Sequence, residues 1–146
     1  RHQLIGIASP SFAPVYAEAI DQLALDGAAV VAGEEELDEL SCAGHSLVIA
    51  TGDVSLPKRV APEDVGLPRH PLSAIRGGGP EENAAALRRL LLGEPGAYRD
   101  AVLLNAGAAL VVAGHAAALI DGVEQAGETI DNGLANALLN CWIAAV

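Results

Sequence analysis

Two short apolar runs, residues 3–8 and 28–32, lie near the amino end of the chain, with a helical pattern between them. Each run is bounded by turn signals that contain Pro or Gly, and apolar runs of this length predict buried strands. Val15, Ala19 and Leu23 recur at spacings of four, which places them on one face of a predicted helix. A strand, a helix and a strand in this order normally join parallel strands through a right-handed crossover.

The next apolar run predicts a hairpin. Residues 46–51 form a predicted strand, and a Gly-Asp pair follows it as a turn signal. Residues 54–60 predict an antiparallel return strand, which Pro57 places at a sheet edge because proline cannot donate a ladder hydrogen bond. From residue 62 to residue 80, eight of nineteen residues are Pro or Gly. That stretch predicts an irregular connector with one short helical turn.

The carboxy-terminal half is predicted to be helical. One helix opens at Pro80, with acidic residues in its first turn, arginines near its end and Gly93 as its stop. Glycines at positions 114 and 133 separate three further helical segments: residues 96–113, 116–132 and 134 onward. The predicted fold class is therefore α/β, in a single domain over residues 1–146.

Composition supports one folded domain. Hydrophobic residues make up 51% of the 146 positions, enough for a real core, and only four residues are aromatic, so small aliphatic side chains must fill it. The chain starts at Arg1 and contains no methionine. We therefore expect it to be a fragment of a longer protein.

The charge balance limits the partners. Eight basic and nineteen acidic residues give a net charge of −11, which repels nucleic acids and anionic membranes, so neither is expected to bind. A chain this acidic needs a cation wherever it handles a phosphorylated substrate, and Mg²⁺ is the obvious candidate. Cys42 and Cys141 are too few for a disulfide framework, and no signal peptide is visible, so a cytoplasmic location is expected.

Residues 101–120 are apolar apart from Asn105 and His115, and their length alone would admit a transmembrane helix. Gly107, Gly114 and His115 interrupt the run. We therefore predict a buried helix that ends near Gly114 and is followed by a second helix.

Five acidic residues crowd six positions directly after the second predicted strand: Glu34, Glu35, Glu36, Asp38 and Glu39. Ligand sites of open α/β sheets lie at the carboxyl ends of strands. Mg²⁺ is usually held by one or two carboxylates together with substrate phosphates, a role that suits Asp38 and Glu39. From residue types alone, however, acids that decorate a solvated helix start are the favoured interpretation.

Other candidate features favour structural roles. Residues 77–79 are three glycines, but Pro80 removes a donor and the following acids repel phosphate, so a turn and helix cap is predicted. Cys42 and His45 could supply two zinc ligands, but no second pair lies nearby. No hydrolytic triad is supported, and no catalytic residue is assigned.

The segment around Asn105 also favours a structural interpretation. Asn105 is predicted to tie its helix to neighbouring backbone, and Arg99 with Asp100 to fix the start of that helix. Gly107 and the alanines around it are predicted to let another element pack closely.

The order of residues from 77 to 114 carries a more specific signal. It contains the pattern ENA…L…G…RD.VLLNAGAAL…G, and upstream stand QLIGIASP, GEEELDEL and PEDVGL. In this order the chain resembles anthranilate phosphoribosyltransferases over nearly its whole length. The residues that carry the signature are Glu82, Asn83, Ala84, Arg99, Asp100, Leu104, Asn105, Ala106, Gly107, Ala108 and Ala109.

The resemblance implies a function and a metal site. It implies transfer of a phosphoribosyl group from phosphoribosyl pyrophosphate to anthranilate, in tryptophan biosynthesis. It also implies that Asp38 and Glu39 hold Mg²⁺ at the pyrophosphate, because they match the adjacent acids of the family pattern HG.DGLDE. The chain departs from that pattern at three positions, with Ala32 for His, Glu35 for Asp and Glu36 for Gly. Glycine adopts turns that glutamate resists.

The resemblance further implies the later portion of an α/β domain of the nucleoside phosphorylase and phosphoribosyltransferase type, with a mostly parallel sheet. The family's helical domain, which forms most of its homodimer contact, and its GTGGD-type loop are not found within these 146 residues. The residues present are therefore expected to be inactive alone.

Two alternatives remain open. A pyrimidine-nucleoside-phosphorylase-type enzyme shares the fold and handles a ribosyl phosphate, although the LLNAGAAL and PEDVGL motifs favour the transferase. The other alternative is a non-catalytic binding or scaffold relative, which the departures from the family pattern at Ala32, Glu35 and Glu36 support.

Overall fold

The fold is organised around one central strand. The computed structural model describes residues 1–145 and contains a four-stranded sheet with strand order β1-β2-β3-β4. The strands are β1 (His2–Gly6), β2 (Gly27–Gly33), β3 (Ser46–Gly52) and β4 (Arg59–Val60). Every residue of β2 is buried, because strands flank it on both sides and helices cover both of its faces.

Five helices accompany the sheet in the described part of the chain: α1 (Ala13–Asp21), α2 (Pro80–Leu91), α3 (Ala97–Val112), α4 (Leu119–Asp131) and α5 (Leu134–Ala144). The predicted α/β class and the helical carboxy-terminal half are confirmed. The glycines predicted to end helices do so, and Gly93, Gly114 and Gly133 all have positive φ angles.

The sheet is mixed, so the predicted mostly parallel sheet is wrong. The β1 and β2 strands pair in parallel, as the strand–helix–strand unit predicts, but β2 with β3 and β3 with β4 pair antiparallel. The segment between β2 and β3 contains no helix and instead folds back at once through a bridge between Gly33 and Leu37. Without a helical crossover, the chain returns antiparallel to β2.

The return strand is shorter than predicted. Only Arg59 and Val60 pair with β3, at the predicted edge of the sheet. Val54 and Leu56 pack against the core without joining the ladder, which explains why the apolar positions of this segment resemble a strand. The connector that follows contains two 3₁₀ turns, Pro62–Val65 and Leu72–Ile75, where one was predicted.

The predicted face of α1 is wrong. Val15 is 62% exposed and Leu23 lies beyond the end of the helix, whereas Ala13, Ala17 and Ile20 are buried. These three residues pack against Ala28, Val30 and Ala32 of β2, and two of the three are alanines, so small side chains make much of the contact between α1 and the sheet.

The opposite face of the sheet packs against α2, α3 and α4 in the larger core. The predicted buried helix and its successor are confirmed as α3 and α4. Gly107 permits their close contact, since a Cβ there would lie 2.8 Å from Val123 of α4, as the close-packing prediction requires. No helix within residues 1–145 has the length and apolarity needed to cross a membrane.

Candidate metal site at the acidic segment

The acidic segment, residues 34–39, begins where β2 ends, at the carboxyl end of that strand, as predicted. Residues 34–36 form a turn, and the N–H of Gly33 donates to the carbonyl of Leu37 at 2.8 Å. The alternative of a solvated helix start is therefore wrong. The segment is a tight reversal that carries the acids around the end of the central strand.

Glu36 occupies the left-handed region of backbone conformation, with φ of 59°. This is the position at which the family pattern has glycine, the residue that adopts such angles without steric cost. The chain therefore keeps the turn although its side chain disfavours it.

Asp38 lies directly against β1. A Cβ placed on Gly6 would collide with the carbonyl carbon and oxygen of Asp38, so only glycine permits this approach. Sequence reasoning missed the role of Gly6. Its signal was available, because a glycine inside an apolar strand pattern indicates close backbone approach.

Asn105 of α3 fixes the residue after Glu39. Its Oδ1 accepts from the N–H of Leu40 at 2.8 Å, and its Nδ2 donates to the carbonyls of Leu40 and Ala101, both at 3.0 Å. The prediction that Asn105 ties its helix to neighbouring backbone is confirmed. The backbone it holds belongs to the end of the acidic segment.

Two buried serines fix the chain beyond Leu40. The hydroxyl of Ser46 accepts from the N–H of Ser41 at 2.8 Å, and the hydroxyl of Ser41 accepts from Ala43 and Gly44 at 3.0 and 3.2 Å. These serines were not singled out from the sequence. Serines near a glycine are a common turn signal but do not reveal which backbone groups they bind.

The start of α3 is held by its two charged residues, as predicted. Arg99 Nη2 donates to Asp131 Oδ2 of α4 at 2.9 Å, and Asp100 Oδ2 lies 2.6 Å from His70 Nε2 in the connector. The N–H of His70 also donates to the carbonyl of Cys42 at 2.8 Å. The connector, the start of α3 and the chain after the acidic segment are therefore joined.

The five acids differ in their surroundings. Glu34 pairs with Arg59 at 2.8 Å, and the carboxylate of Glu35 lies over Gly44. Asp38 is exposed and Glu39 half-buried, and neither has a basic partner within 4 Å among residues 1–145. Burial and, secondarily, the charge of Asp38 raise the pKa of Glu39 above its usual value. This pair carries negative charge that no basic side chain among the described residues neutralises.

Glu39 borders an open cavity of about 350 Å³, which Tyr98, Val102 and Asn105 of α3 also line. The first turns of α3 thus form one wall beside the acidic pair. The cavity leaves Glu39 open to a ligand beside α3.

The acidic pair fits Mg²⁺ better than a metal held entirely by protein. No group of three or more His, Cys, Asp and Glu residues in the described chain is arranged to hold a metal ion. Mg²⁺ does not require one, because it keeps several waters and is often bound through one or two carboxylates and substrate phosphates. Asp38 and Glu39 are the residues that would supply those carboxylates.

The glycines at 77–79 form the predicted turn before α2. The N–H of Gly78 is occupied by Asn83 Oδ1 at 2.8 Å, and Asn83 Nδ2 donates back to the carbonyl of Gly78 at 3.1 Å. Glu82 lies against the same glycine. The donor that a phosphate would need is already used by the helix itself.

The comparisons with known proteins identify the family of the chain. A model of the glycosyl transferase family, a/b domain, matches residues 1–136, and the chain belongs to that family. The anthranilate phosphoribosyltransferase of Novosphingobium aromaticivorans is 55% identical, over 100% of this chain and 44% of the relative. That of Sphingopyxis alaskensis is 57% identical, over 97% of this chain and 43% of the relative. The resemblance to this group of enzymes is confirmed.

Solved structures show the same fold. Anthranilate phosphoribosyltransferase from Thermus thermophilus superposes with a TM-score of 0.86 at 44% identity, over 95% of this chain and 41% of that one. The Saccharomyces cerevisiae enzyme, solved in complex with PRPP and Mg, superposes with a TM-score of 0.78 at 28% identity, over 90% of this chain and 39% of that one. The chain thus spans less than half the length of the relatives that it matches.

Proposed function

We propose that this chain is part of an anthranilate phosphoribosyltransferase of tryptophan biosynthesis, and that Asp38 and Glu39 hold its Mg²⁺. The observation that carries the proposal is the acidic pair at the carboxyl end of β2, which has no basic partner among the described residues. The whole of this chain is 55% identical to part of such an enzyme. A pair of adjacent carboxylates without a basic partner suits a cation.

The reaction would break the bond between C1 of the ribose and the pyrophosphate oxygen and join C1 to the amino nitrogen of anthranilate. The amino nitrogen would lose a proton, and negative charge would develop on the departing pyrophosphate, which Mg²⁺ held by Asp38 and Glu39 would neutralise. The chain's own contribution is to present two carboxylates at a fixed place. Gly6 and Leu40 define that place on either side of the pair.

The conformation of Glu36 favours this function over a non-catalytic relative. A site that had lost its role would be free to relax the left-handed turn, yet φ at Glu36 remains 59°. The retained turn keeps Asp38 against Gly6. The backbone turn would thus present the acids beside β1 even with glutamate at position 36.

The complete enzyme is part of the same proposal. Contacts to the ribose phosphate and anthranilate would come mainly from residues outside these 146, so the chain alone would be inactive. The whole protein would be a cytoplasmic homodimer.

The test is anthranilate consumption by the gene product that carries this chain, followed through the loss of anthranilate fluorescence. With phosphoribosyl pyrophosphate present, turnover should require Mg²⁺. Asp38→Asn and Glu39→Gln should each raise the Mg²⁺ requirement by about tenfold or more, since each removes one charged ligand. A folded gene product that consumes no anthranilate would overturn the assigned reaction, and one whose variants keep the wild-type Mg²⁺ requirement would overturn the metal site.

A further inference from the structure

We propose that Asn105 is a positioning residue that holds Asp38 and Glu39 in place for the metal, an inference that rests on the function proposed above. One side-chain amide satisfies both polar backbone groups of Leu40, the residue directly after Glu39. It also donates to Ala101 in its own helix. Asn105 therefore couples the acidic segment to the most deeply packed helix of the fold.

The need for an amide follows from the contact. Leu40 is 1% exposed, so its N–H and carbonyl groups depend on a protein partner, and Asn105 satisfies both. An asparagine supplies an acceptor and two donors in one plane. Aspartate would lose both donors, and leucine, of similar size, would lose all three bonds.

The position of the contact makes it relevant to the metal. Asp38 is set against Gly6 on the β1 side, and Leu40 is held by Asn105 on the α3 side, so Glu39 lies between two fixed points. Glu39 and Asn105 line the same cavity. Without Asn105, the backbone directly after Glu39 would lose its tie to α3, and Glu39 could turn away from the position next to Asp38.

The experiment uses Asn105→Leu and Asn105→Ser in the gene product that carries this chain. The serine variant preserves folding if leucine does not, because its hydroxyl can bond to Ala101 within the helix while leaving Leu40 without a partner. We expect both variants to raise the Mg²⁺ concentration for half-maximal turnover by about tenfold, with kcat at saturating Mg²⁺ changed much less. Hydrogen exchange at the Leu40 amide should become faster in both.

Val112→Ala is the matched control. It removes buried volume from the same helix, but Val112 packs near Gly27, at the end of β2 away from the acidic segment. It should lower stability and leave the Mg²⁺ requirement unchanged, which separates positioning from general destabilisation.

Each outcome decides a separate point. A raised Mg²⁺ requirement in the Asn105 variants, with an unchanged requirement in Val112→Ala, supports the positioning role. An unchanged requirement in the Asn105 variants of a Mg²⁺-dependent wild type overturns that role and leaves the proposed function intact. Wild-type turnover that is indifferent to Mg²⁺ overturns the proposed metal site itself.

Discussion

The acidic segment and the pair of helices α3 and α4 are both fixed by glycines at close backbone contact, yet they differ in what surrounds those contacts. Gly107 and Gly122 join apolar helices whose facing residues are buried. Gly6 instead supports a turn with a left-handed Glu36 and two adjacent carboxylates that have no basic partner within residues 1–145. The apolar packing of the helix pair stabilises the fold. The left-handed turn and the adjacent carboxylates of the acidic segment lower stability, and those carboxylates are groups that could bind a cation.

The largest expected effect is at Gly6. Gly6→Ala places a methyl group on the backbone of Asp38, which cannot move without distorting the turn. We expect a loss of about 3 kcal/mol in the free energy of unfolding, at the upper end of overpacking effects. Chemical denaturation measures it. Gly79→Ala is the control, because a Cβ there meets nothing within 4 Å, and an equal loss in both variants would contradict the claimed contact.

The helix pair is tested next. Gly122→Ala directs a methyl group at the carbonyl of Gly107 and should cost about 2 kcal/mol, measured as a lower midpoint of urea unfolding. Gly127→Ala lies on the same helix with its nearest neighbour 3.8 Å away. It should be neutral or stabilising by up to about 1 kcal/mol, since alanine favours helix over glycine. Similar losses in both would show that the α3 and α4 contact is looser than described.

Replacing Glu36 by glycine should raise stability, in contrast to the two glycine replacements above. Glu36→Gly relieves the left-handed conformation but adds unfolded-state entropy, for a net gain of about 0.5 kcal/mol in stability. Ala24→Gly, at the other non-glycine residue of the described chain with positive φ, should give a similar gain. Glu36→Gln changes only the charge and should give none, so a gain in that variant would attribute the effect to charge instead of backbone.

The smallest effect is at Glu39. Its pKa is raised by burial and by Asp38, so the charged form of Glu39 destabilises the fold. The wild type is therefore relatively more stable at low pH, where Glu39 is neutral, and loses stability as pH rises through the acidic range and Glu39 becomes charged. Without Mg²⁺, Glu39→Gln should therefore be more stable than wild type near neutral pH, by about 0.5 kcal/mol at most, and equal to it at low pH. Unfolding midpoints between about pH 4 and about pH 7 measure the difference. A variant less stable at neutral pH would contradict the assigned cause.

The two regions also differ in how far the sequence predicts them. The helices follow from local signals, and Gly93, Gly114 and Gly133 mark their ends as predicted. The position of the acidic pair follows from the strand that precedes it. The contacts that hold the pair in place cannot be predicted in this way. Gly6 contacts Asp38 from 32 positions away, and Asn105 contacts Leu40, directly after the segment, from 65 positions away, and such distant partners carry no local pattern. The mixed sheet was missed for a similar reason, since apolar runs do not encode strand direction.

The face of α1 shows the limit of hydrophobic spacing. Val15 and Leu23 have the larger side chains, yet the sheet they could cover is built from Ala and Val and accepts the smaller face of Ala13 and Ala17. Which face is buried depends on the surface opposite, which spacing alone does not reveal.

The central claim is that Asp38 and Glu39 form a cation site at the expense of stability. The most direct test is calorimetric titration of Mg²⁺ into the gene product in the presence of pyrophosphate, for the wild type and for the variant that combines Asp38→Asn with Glu39→Gln. We expect the protein-dependent part of Mg²⁺ binding to weaken by at least about tenfold in the variant, while the unliganded variant is no less stable than the wild type. Equal Mg²⁺ binding by the two proteins would contradict it.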